Sequence, residues 1–596
     1  MCGIVGFTTF KQGPADPDRV VRAMADVLRL RGPDGEGYFN DGVAVLGHRR
    51  LSIIDLGGGA QPFSIDGGRY QIVYNGELYN YVELAAELRG RGYSFTSQSD
   101  TEVLLRQLAA DGVAGLQRLN GMFAFALWDR ERRELLLARD RFGIKPLYYT
   151  VAGGELVFGS EMKAILQHPQ VARRLNLLSI SKYLTFSYIP APHTIFQDVH
   201  KLEPGHWLRF SARGLEKGCY WDIPMEDNPI SEGTVEERAD ELLAILRDSV
   251  TKQLRSDVPV GVFLSGGIDS STITALAAQA VPGRLHTFSV GFEESSYDES
   301  PYARMVAERY GTEHHHEVLS LKRAVELMPT VMNTLDEPFG DASILPTYLL
   351  SQFTARHVKV VLGGDGGDEL FAGYPSFQAH VMMEKLSVLP ISWRDALIRL
   401  ARRIPVSHRY ASMDFLIQQF FKGAGISPEI RFFLWMGPFG NDQKRSVLSP
   451  ALQADLLRSN PFEDVLNHVR QSGLVSDFQR ILYLCMKLYL QDGILVKVDR
   501  ASMANSLEVR VPLLDHSLVE YAARIQPAYK LKGLTTKYIL KRAVRDLLPR
   551  AIIKRRKAGF MIPLAAWLSK DLRPMVEDYC SPEALARDGL FHAPGV

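Results

Sequence analysis

Apolar runs separated by short polar segments fill the first third of the chain. Three of these runs cover residues 119–129, 135–138 and 156–158. Short runs that are rich in aromatic and aliphatic residues are typical of β-strands. Polar segments such as 74–80 and 99–102 lie between the apolar runs. The pattern therefore predicts a strand-rich N-terminal domain over residues 1–210.

The pattern changes in the second half of the chain, where short apolar strands alternate with helices. Strands are predicted at 258–264, 285–292 and 315–319, and helices at 272–280 and 301–310. This alternation favours a doubly wound α/β domain with a parallel sheet, whose ligand binds at the carboxyl ends of the strands. We assign this domain to residues 235–596. The polar segment 211–234 is predicted to be a linker, since it has no sustained helical pattern.

Composition limits the class of protein. The chain has 596 residues, of which 46% are apolar and 23% are charged, and its net charge is +1. These values are typical of a soluble globular protein with two or more domains, and they give no electrostatic case for binding nucleic acid or an anionic membrane. The four scattered cysteines predict reduced thiols and a cytoplasmic location. We expect neither a signal peptide nor a membrane span.

The strand at 258–264 runs into a turn of serines and glycines and then into an alanine-rich helix. Backbone N–H groups and hydroxyls at the N-terminus of a helix bind phosphate. The predicted donors are Ser265, Gly266, Gly267 and Ser270. Asp269 would repel a bare phosphate, so we predict that it binds the Mg²⁺ that accompanies one. The loop is not a GxxxxGK[ST] loop, and a plain glycine-rich turn is the alternative.

A second glycine-rich turn follows the apolar residues that begin the segment 358–374, and it carries Asp365, Asp368 and Glu369. Closely spaced carboxylates are costly unless a cation or a proton binds to them. We therefore favour a cation-binding loop over an ordinary acidic turn, since the phosphate loop belongs to the same predicted domain.

Three consecutive histidines, His314, His315 and His316, raise the question of a metal site. Neighbouring residues on a strand point to opposite faces, and no Cys or Asp ligand set lies nearby in the sequence. We therefore interpret these residues as structural strand histidines.

Cys2 becomes the first residue when the initiator methionine is removed. A terminal cysteine carries a thiol and an α-amino group, whose pKa of about 8 allows it to act as a general base near neutral pH. The alternative for a Met-Cys start is an inert residue buried at the beginning of a strand.

Five sequence patterns favour the catalytic interpretation of Cys2. They are MCGIVG at 1–6, RGPDG at 31–35, HRRLSIID at 48–55, YNGELYN at 74–80 and SDTE at 99–102. In this order they resemble the class II glutamine amidotransferases, as does RDRFGIKPLYY at 139–149. The resemblance implies an α+β N-terminal-nucleophile fold, in which two antiparallel sheets lie between layers of helices.

The same resemblance implies a role for each residue of the glutaminase site. Cys2 is the nucleophile, and the Asn75 side chain with the Gly76 N–H holds the oxyanion. Arg50 would pair with the α-carboxylate of glutamine. The α-ammonium group would be bound by Glu77 and Asp100, and the pocket would be lined by the backbone of Leu51, Ser52, Ile53 and Ile54. Leu30 stands where family members usually have histidine.

The two loops of the C-terminal domain resemble those of ATP pyrophosphatases and asparagine synthetases, as do residues 498–515, 536–541 and 556–560. This resemblance implies that Asp269 and Asp368 bind Mg²⁺ and pyrophosphate, and that Lys537 stabilises charge on the α-phosphate. ATP would be contacted by Leu264, Val290, Gly363 and Gly364 together with the phosphate loop. Asp365 is implied to be catalytic, although some asparagine synthetases have Glu there.

Both resemblances together imply a member of the glutamine-hydrolysing asparagine synthetase family, with ATP and Mg²⁺ as cofactors. Such an enzyme releases ammonia from glutamine, adenylates the side chain of aspartate and amidates it, with AMP and pyrophosphate as further products. We expect ammonia to travel inside the protein because water competes for the acyl intermediate. The family also implies a homodimer.

Two alternatives remain open at this stage. The acceptor could be another carboxylate, such as a sugar acid or a natural-product acid, because some asparagine synthetases have an Arg near the position of Asp341, where this chain has the acidic segment 336–343. The intact Cys2 argues against the β-lactam-forming relatives. A non-catalytic binding or regulatory protein would be expected to have lost Cys2, Asn75, Asp269 or Asp368, and all four are present.

Overall fold

The computed structural model shows two halves that are each built on β-sheets. It describes the chain except for residues 1, 12, 228–232, 295, 388–412, 457–459, 558, 561, 563 and 570. The described strands of the N-terminal half are β1 Gly3–Thr8, β2 Gly35–Asn40, β3 Ala44–Arg50, β4 Phe63–Ile65, β5 Tyr70–Leu78, β6 Gly121–Asp129, β7 Glu134–Arg139, β8 Tyr148–Ala152, β9 Glu155–Gly159, β10 His200–Lys201, β11 His206–Ser211 and β12 Gly214–Cys219.

These strands form two antiparallel sheets, with the orders β10-β8-β9-β1-β3-β2 and β12-β11-β7-β6-β5-β4. Alternating side chains such as Trp128, Leu137 and Phe158 are fully buried in the apolar core that both sheets share. The helices of this half are α1 Pro17–Asp26, α2 Tyr81–Gly90, α3 Asp100–Asp111, α4 Met162–Ile165 and α5 Leu177–Phe186. Helices α1, α4 and α5 pack on the first sheet, whereas α2 and α3 pack on the second. The predicted sandwich is confirmed.

A parallel sheet lies at the centre of the C-terminal half. Its strands are β13 Val260–Phe263, β14 His286–Phe292, β15 Glu313–Leu319, β16 Val360–Leu362 and β17 Glu508–Arg510, in the order β15-β14-β13-β16-β17. The chain leaves β13 toward one edge of the sheet and returns to β16 on the other side of β13. The carboxyl ends of β13 and β16 therefore flank a topological switch point, where ligands of such sheets bind. The predicted α/β architecture is confirmed.

Helices surround this sheet on both faces and continue to the C-terminus. They are α6 Val235–Gln253, α7 Ile268–Ala280, α8 Ser300–Tyr310, α9 Leu321–Thr334, α10 Ile344–Thr354, α11 Gly367–Leu370, α12 Pro375–Ser387, α13 Met413–Lys422, α14 Pro428–Met436, α15 Asn441–Val447, α16 Pro450–Leu456, α17 Glu463–Ser472, α18 Asp477–Leu484, α19 Leu495–Met503, α20 His516–Ala523, α21 Pro527–Lys530, α22 Tyr538–Ala543, α23 Arg550–Lys554, α24 Leu564–Ser569, α25 Arg573–Tyr579 and α26 Pro582–Asp588. A π-helical segment, Cys485–Ile494, joins α18 to α19.

The segment between the halves is only partly irregular. Strand β12 lies inside the stretch predicted as a linker and pairs with β11 at the edge of the second sheet. Residues 228–232 of that stretch lie outside the described residues. Helix α6 then begins with a capping box, in which the side chains of Thr234 and Glu237 each bond to the other residue's backbone N–H.

All four cysteines are free thiols, and Cys2 and Cys485 are buried. None of the helices in the described part of the chain has both the length and the apolar character that crossing a bilayer requires.

Candidate active sites and the interface between them

The first candidate site forms where Cys2, just before β1, meets Asn75 on β5. The backbone N–H of Cys2 donates a hydrogen bond to Asn75 Oδ1 over 2.9 Å. Both residues are buried, and Asn75 Nδ2 has no hydrogen-bond partner in the described structure. A buried donor without a partner is rare and costly. The free N–H of Asn75 therefore suits an oxyanion formed beside the thiol.

Burial favours the neutral form of the Cys2 thiol. Burial raises its pKa above the ordinary value, and nearby positive charge only partly offsets this effect. A buried neutral thiol needs a base before it can attack an amide. Gly76, next to Asn75, allows β6 to come close, because a Cβ at Gly76 would lie 2.3 Å from the carbonyl oxygen of Met122.

Two buried carboxyl groups lie beyond Asn75. Asp100 begins α3 and accepts hydrogen bonds from the Tyr74 hydroxyl over 2.9 Å and from the Leu78 N–H over 3.1 Å. Burial raises the pKa of Asp100 to about 6. Burial, followed by the charge of Asp100, raises the pKa of Glu77 well above its ordinary range, and Glu77 Oε1 has no hydrogen-bond partner among the described residues. A bound ammonium group would stabilise both carboxylates in their charged form.

Arg50 and the segment that follows it are placed beside the synthetase half. The Arg50 guanidinium donates to the carbonyls of Asp55 over 2.7 Å and of Leu56 over 3.2 Å. The N–H of Ser52 donates to Asp34 Oδ2 over 2.8 Å. Leu51, Ile53 and Ile54 are buried together with Val360 of β16. The predicted glutamine pocket wall is therefore part of the contact between the two halves.

The phosphate loop joins β13 to α7 with a compact set of hydrogen bonds. Gly266 has a φ of 73°, and a Cβ there would lie 2.6 Å from the backbone N of Ala303, so glycine is required. The Ser265 and Ser270 hydroxyls lie 3.1 Å apart, and the Gly267 N–H donates to Ser265 Oγ over 3.3 Å. Leu264 and Val290 are buried at the ends of β13 and β14.

The second loop follows β16 and lies directly against the phosphate loop. The Gly363 N–H donates to the carbonyl of Arg510 over 2.7 Å. A Cβ at Gly364 would lie 2.9 Å from the Ser270 N, so only glycine allows the two loops to approach this closely. Strand order alone explains why they meet, since β13 and β16 are neighbours.

Asp269 and Asp368 are brought together by this contact. Lys537 Nζ lies 2.5 Å from Asp269 Oδ2 and 2.7 Å from Asp368 Oδ1, and Lys557 pairs with the other oxygen of Asp368. Burial acts to raise the pKa of Asp368, but the two ammonium groups outweigh it and hold the pKa at about 2. Two carboxylates that face one cation position have the hard oxygen donors that Mg²⁺ prefers.

Asp365 and Glu369 flank this pair. Burial raises the pKa of Asp365, with Lys497 and Lys557 acting in the opposite direction. Burial and the charge of Asp368 raise the pKa of Glu369 to about 7. Lys497 also lies 2.9 Å from Ser343 Oγ and 3.2 Å from Asp341 Oδ2. Carboxylate and lysine side chains therefore lie next to each other around the loop.

Comparison with known proteins gives a family match for each half of the chain. Residues 1–221 match the glutamine amidotransferase domain family and residues 241–596 match the asparagine synthase family. Glutamine-hydrolysing asparagine synthetase 1 of Bacillus subtilis is 34% identical over 593 residues, which cover 97% of this chain and 89% of that relative. The chain belongs to the glutamine-hydrolysing asparagine synthetase family.

Two further relatives show the range of names among similar proteins. Asparagine synthetase 3 of Bacillus subtilis is 33% identical to this family member, over 94% of the chain and 87% of the relative. A protein of Penicillium rubens named amidase chyE is 30% identical, over 98% of the chain and 92% of the relative. Similarity thus extends across both halves in each case.

A buried ionic network joins the two halves of this synthetase family member. The Arg31 guanidinium makes a bidentate pair with Asp499 on α19, over 2.7 and 2.9 Å, and lies 2.9 Å from Glu161. Arg500 pairs with the same glutamate over 2.8 Å. Arg31 Nε also donates to the carbonyl of Cys2 over 3.2 Å. The network therefore extends to the backbone of Cys2.

A second buried contact links the glutamine pocket to β17. Arg510 Nη2 lies 3.3 Å from Glu77 Oε2, and its Nε lies 2.6 Å from Glu508. Both β17 residues are fully buried. Arg510 lies within the segment 498–515 that resembles the synthetase family. The sequence therefore indicated that this segment matters, but it did not show that Arg510 contacts Glu77.

Proposed function

We propose that this protein is a glutamine-dependent asparagine synthetase. In this reaction glutamine is hydrolysed to glutamate and ammonia, ATP adenylates the side-chain carboxylate of aspartate, and ammonia displaces AMP to give asparagine. Pyrophosphate is the remaining product. The observation that carries the proposal is the similarity to glutamine-hydrolysing asparagine synthetases, at 33–34% identity over 94–97% of the chain.

The glutaminase step starts from the geometry at Cys2. Removal of Met1 makes the nitrogen that bonds to Asn75 a free amine, which takes the proton of the thiol. The thiolate attacks the side-chain amide of glutamine. The free N–H of Asn75 then donates to the oxyanion, an interaction whose loss costs about 10²–10³ in rate. Glu77 and Asp100 bind the α-ammonium group, and Arg50 binds the α-carboxylate.

The synthetase step takes place at the two loops. Backbone N–H groups of the phosphate loop and its serine hydroxyls bind the pyrophosphate portion of ATP. Asp269 and Asp368 would hold Mg²⁺, which neutralises phosphate charge. Lys537 reaches both carboxylates, so its ammonium is positioned to stabilise charge on the α-phosphate. Asp365 lies at the edge of this site, and we assign it a catalytic role in the reaction of the acceptor carboxylate.

A second candidate function uses the same chemistry on a different carboxylate. Lys497 contacts Asp341 and Ser343, and its charge acts on Asp365. A relative that is 30% identical over 98% of the chain is named an amidase rather than an asparagine synthetase. These observations favour an amidotransferase dedicated to a particular acid as the runner-up. The cytoplasmic location and the homodimer stay predictions.

Pyrophosphate release tests the proposal directly. The enzyme is incubated with ATP, Mg²⁺ and glutamine, together with a panel of carboxylates headed by aspartate, and products are identified by mass spectrometry. We expect pyrophosphate release that depends on aspartate and yields asparagine. Glutamine hydrolysis without aspartate-dependent release would reject aspartate and direct the search to the carboxylate in the panel that does stimulate release.

An Asp368→Asn variant is the matched control. It removes one charge from the Mg²⁺ pair and leaves Cys2 and Asn75 intact, so we expect pyrophosphate release to fall by at least tenfold while glutamine hydrolysis continues. Unchanged pyrophosphate release in this variant would contradict the assignment of the loop.

A further inference from the structure

A group of histidine and glutamate side chains lies at the amino ends of β14 and β15. His286 begins β14, and Glu313 and His315 lie on β15. In the parallel pairing His286 is opposite Glu313, and Phe288 is opposite His315. Because side chains two residues apart share a face of the sheet, His286, Glu313 and His315 point to the same side.

The distances between these groups are those of metal ligands. His286 Nδ1 lies 3.2 Å from His315 Nε2 and 3.8 Å from Glu313 Oε2, and His315 Nε2 lies 3.5 Å from Glu313 Oε1. Ligands bound to Zn²⁺ at about 2.0–2.1 Å in a tetrahedron are separated from each other by roughly 3.3–3.4 Å. The three side chains can therefore close on one ion with movements of a few tenths of an ångström.

A further histidine lies beside them. The ring of His357, in the connection between α10 and β16, has its centroid 4.3 Å from that of His315. Its side chain is exposed, and His286 and His315 are partly exposed, so an ion can reach the group from solvent. Either His357 after a rotation or a water molecule would complete four-coordination.

We propose that His286, Glu313 and His315 form a binding site for a divalent transition-metal ion such as Zn²⁺. Imidazole nitrogens with one carboxylate suit Zn²⁺, whereas Mg²⁺ is bound through oxygen. The site lies at the amino ends of the strands, whereas Asp269 follows the carboxyl end of β13. It is therefore separate from the ATP chemistry, and it joins β14 to β15.

The sequence showed no Cys or Asp ligands near the three histidines, and this group consists of His and Glu side chains instead. His314 and His316 do point away, and both lie within hydrogen-bonding distance of Ser289 on the other face. His315 alone turns toward His286, which is 29 residues earlier in the chain. Parallel strand pairing supplies the missing ligands, and this contact is not visible in the local sequence.

Zinc titration of full-length protein tests the site. Protein treated with a chelator is titrated with Zn²⁺ in the presence of a chromophoric competitor, and Co²⁺ is used in parallel because its visible absorption reports nitrogen coordination. We expect wild-type protein to bind one more equivalent than the His315→Ala and Glu313→Gln variants. His314→Ala is the matched control, since it removes a neighbouring histidine from the other face, and it should bind as wild type does.

Circular dichroism and thermal unfolding of each variant separate loss of the site from loss of the fold. Zn²⁺ should raise the Tm of wild-type protein and of His314→Ala but leave the Tm of Glu313→Gln unchanged, because ligand binding stabilises only the state that binds. Equal stoichiometry in wild type, His315→Ala and Glu313→Gln would overturn the proposal and leave a hydrogen bond between His286 and His315. Loss of binding in His314→Ala would overturn it as well.

Discussion

The carboxyl group of Asp100 accepts hydrogen bonds from Tyr74 and Leu78 in a buried position that raises its pKa to about 6. If it binds the α-ammonium of glutamine, only its charged form is competent. A proton therefore competes with glutamine below this pKa. We expect KM for glutamine to rise as the pH falls below about 6, by roughly tenfold per unit in the limit.

Steady-state glutaminase kinetics between pH 5 and 8 measure this effect, with circular dichroism to establish that the fold persists. The Asp100→Asn variant should bind glutamine weakly at every pH and lose the dependence. A constant KM in wild-type protein from pH 7 to 5 would rule out Asp100 as the ammonium ligand.

Individual residues of the site could be predicted only where a motif marked them. Cys2 and Asn75 are 73 positions apart, and their hydrogen bond joins the residue before β1 to β5 of the other sheet. No periodicity predicts that contact, and the family resemblance alone suggested it. Arg510 could not be predicted as a partner of Glu77, because the pair exists only after the two halves have docked.

At the scale of elements, the ion pair between Arg31 and Asp499 fixes α19 against the first domain. Both side chains are about 95% buried or more, and without Asp499 the Arg31 guanidinium keeps only Glu161, which already pairs with Arg500. Breaking such a pair costs about 3–5 kcal/mol. We expect Asp499→Asn to lower the free energy of unfolding by an amount of this order, measured by denaturant titration and by the shift in Tm.

An exposed ion pair provides the matched control for this element. Arg174 and Asp198 lie 2.6 Å apart with side chains that are 66% and 46% exposed. Asp198→Asn should change stability by less than about 1 kcal/mol. Equal destabilisation by the two substitutions would show that burial does not determine the strength of the interdomain pair.

The elements themselves were largely predictable, and their edges were not. Apolar runs predicted β6, β7 and β9 in the first half and β13, β14 and β15 in the second, and β14 starts within one residue of its predicted position. Strand β12 is different, because its sequence GLEKGC is polar and it pairs at an exposed edge. Strand β12 can be recognised as a strand only from its pairing with β11. Pairing between distant segments is the information that a single sequence lacks.

The whole molecule combines two reactions that can be separated by substitution. Cys2→Ala removes the nucleophile and leaves the two loops of the synthetase half unchanged. We expect this variant to lose product formation from glutamine by at least 10³-fold, as removal of a nucleophile does. Product formation from ammonium chloride should remain within about threefold of wild type.

Product formation with each nitrogen source is measured at saturating ATP and acceptor. The control is Cys219→Ala, which removes an exposed thiol on β12 and should leave both activities intact. Equal loss of both activities in Cys2→Ala would contradict a scheme with two separate sites.

The division of charge across the interface also affects how such a protein can evolve. Arg31 belongs to the first domain, and Asp499 belongs to the second. A recombinant that joined the first domain to a foreign partner lacking Asp499 would leave Arg31 with Glu161 alone, in a buried position where its Nε bonds to the carbonyl of Cys2. Gene fusion or exchange is therefore constrained to pairs of domains that have diverged together, and functional chimeras should require both members of the ion pair to be transferred.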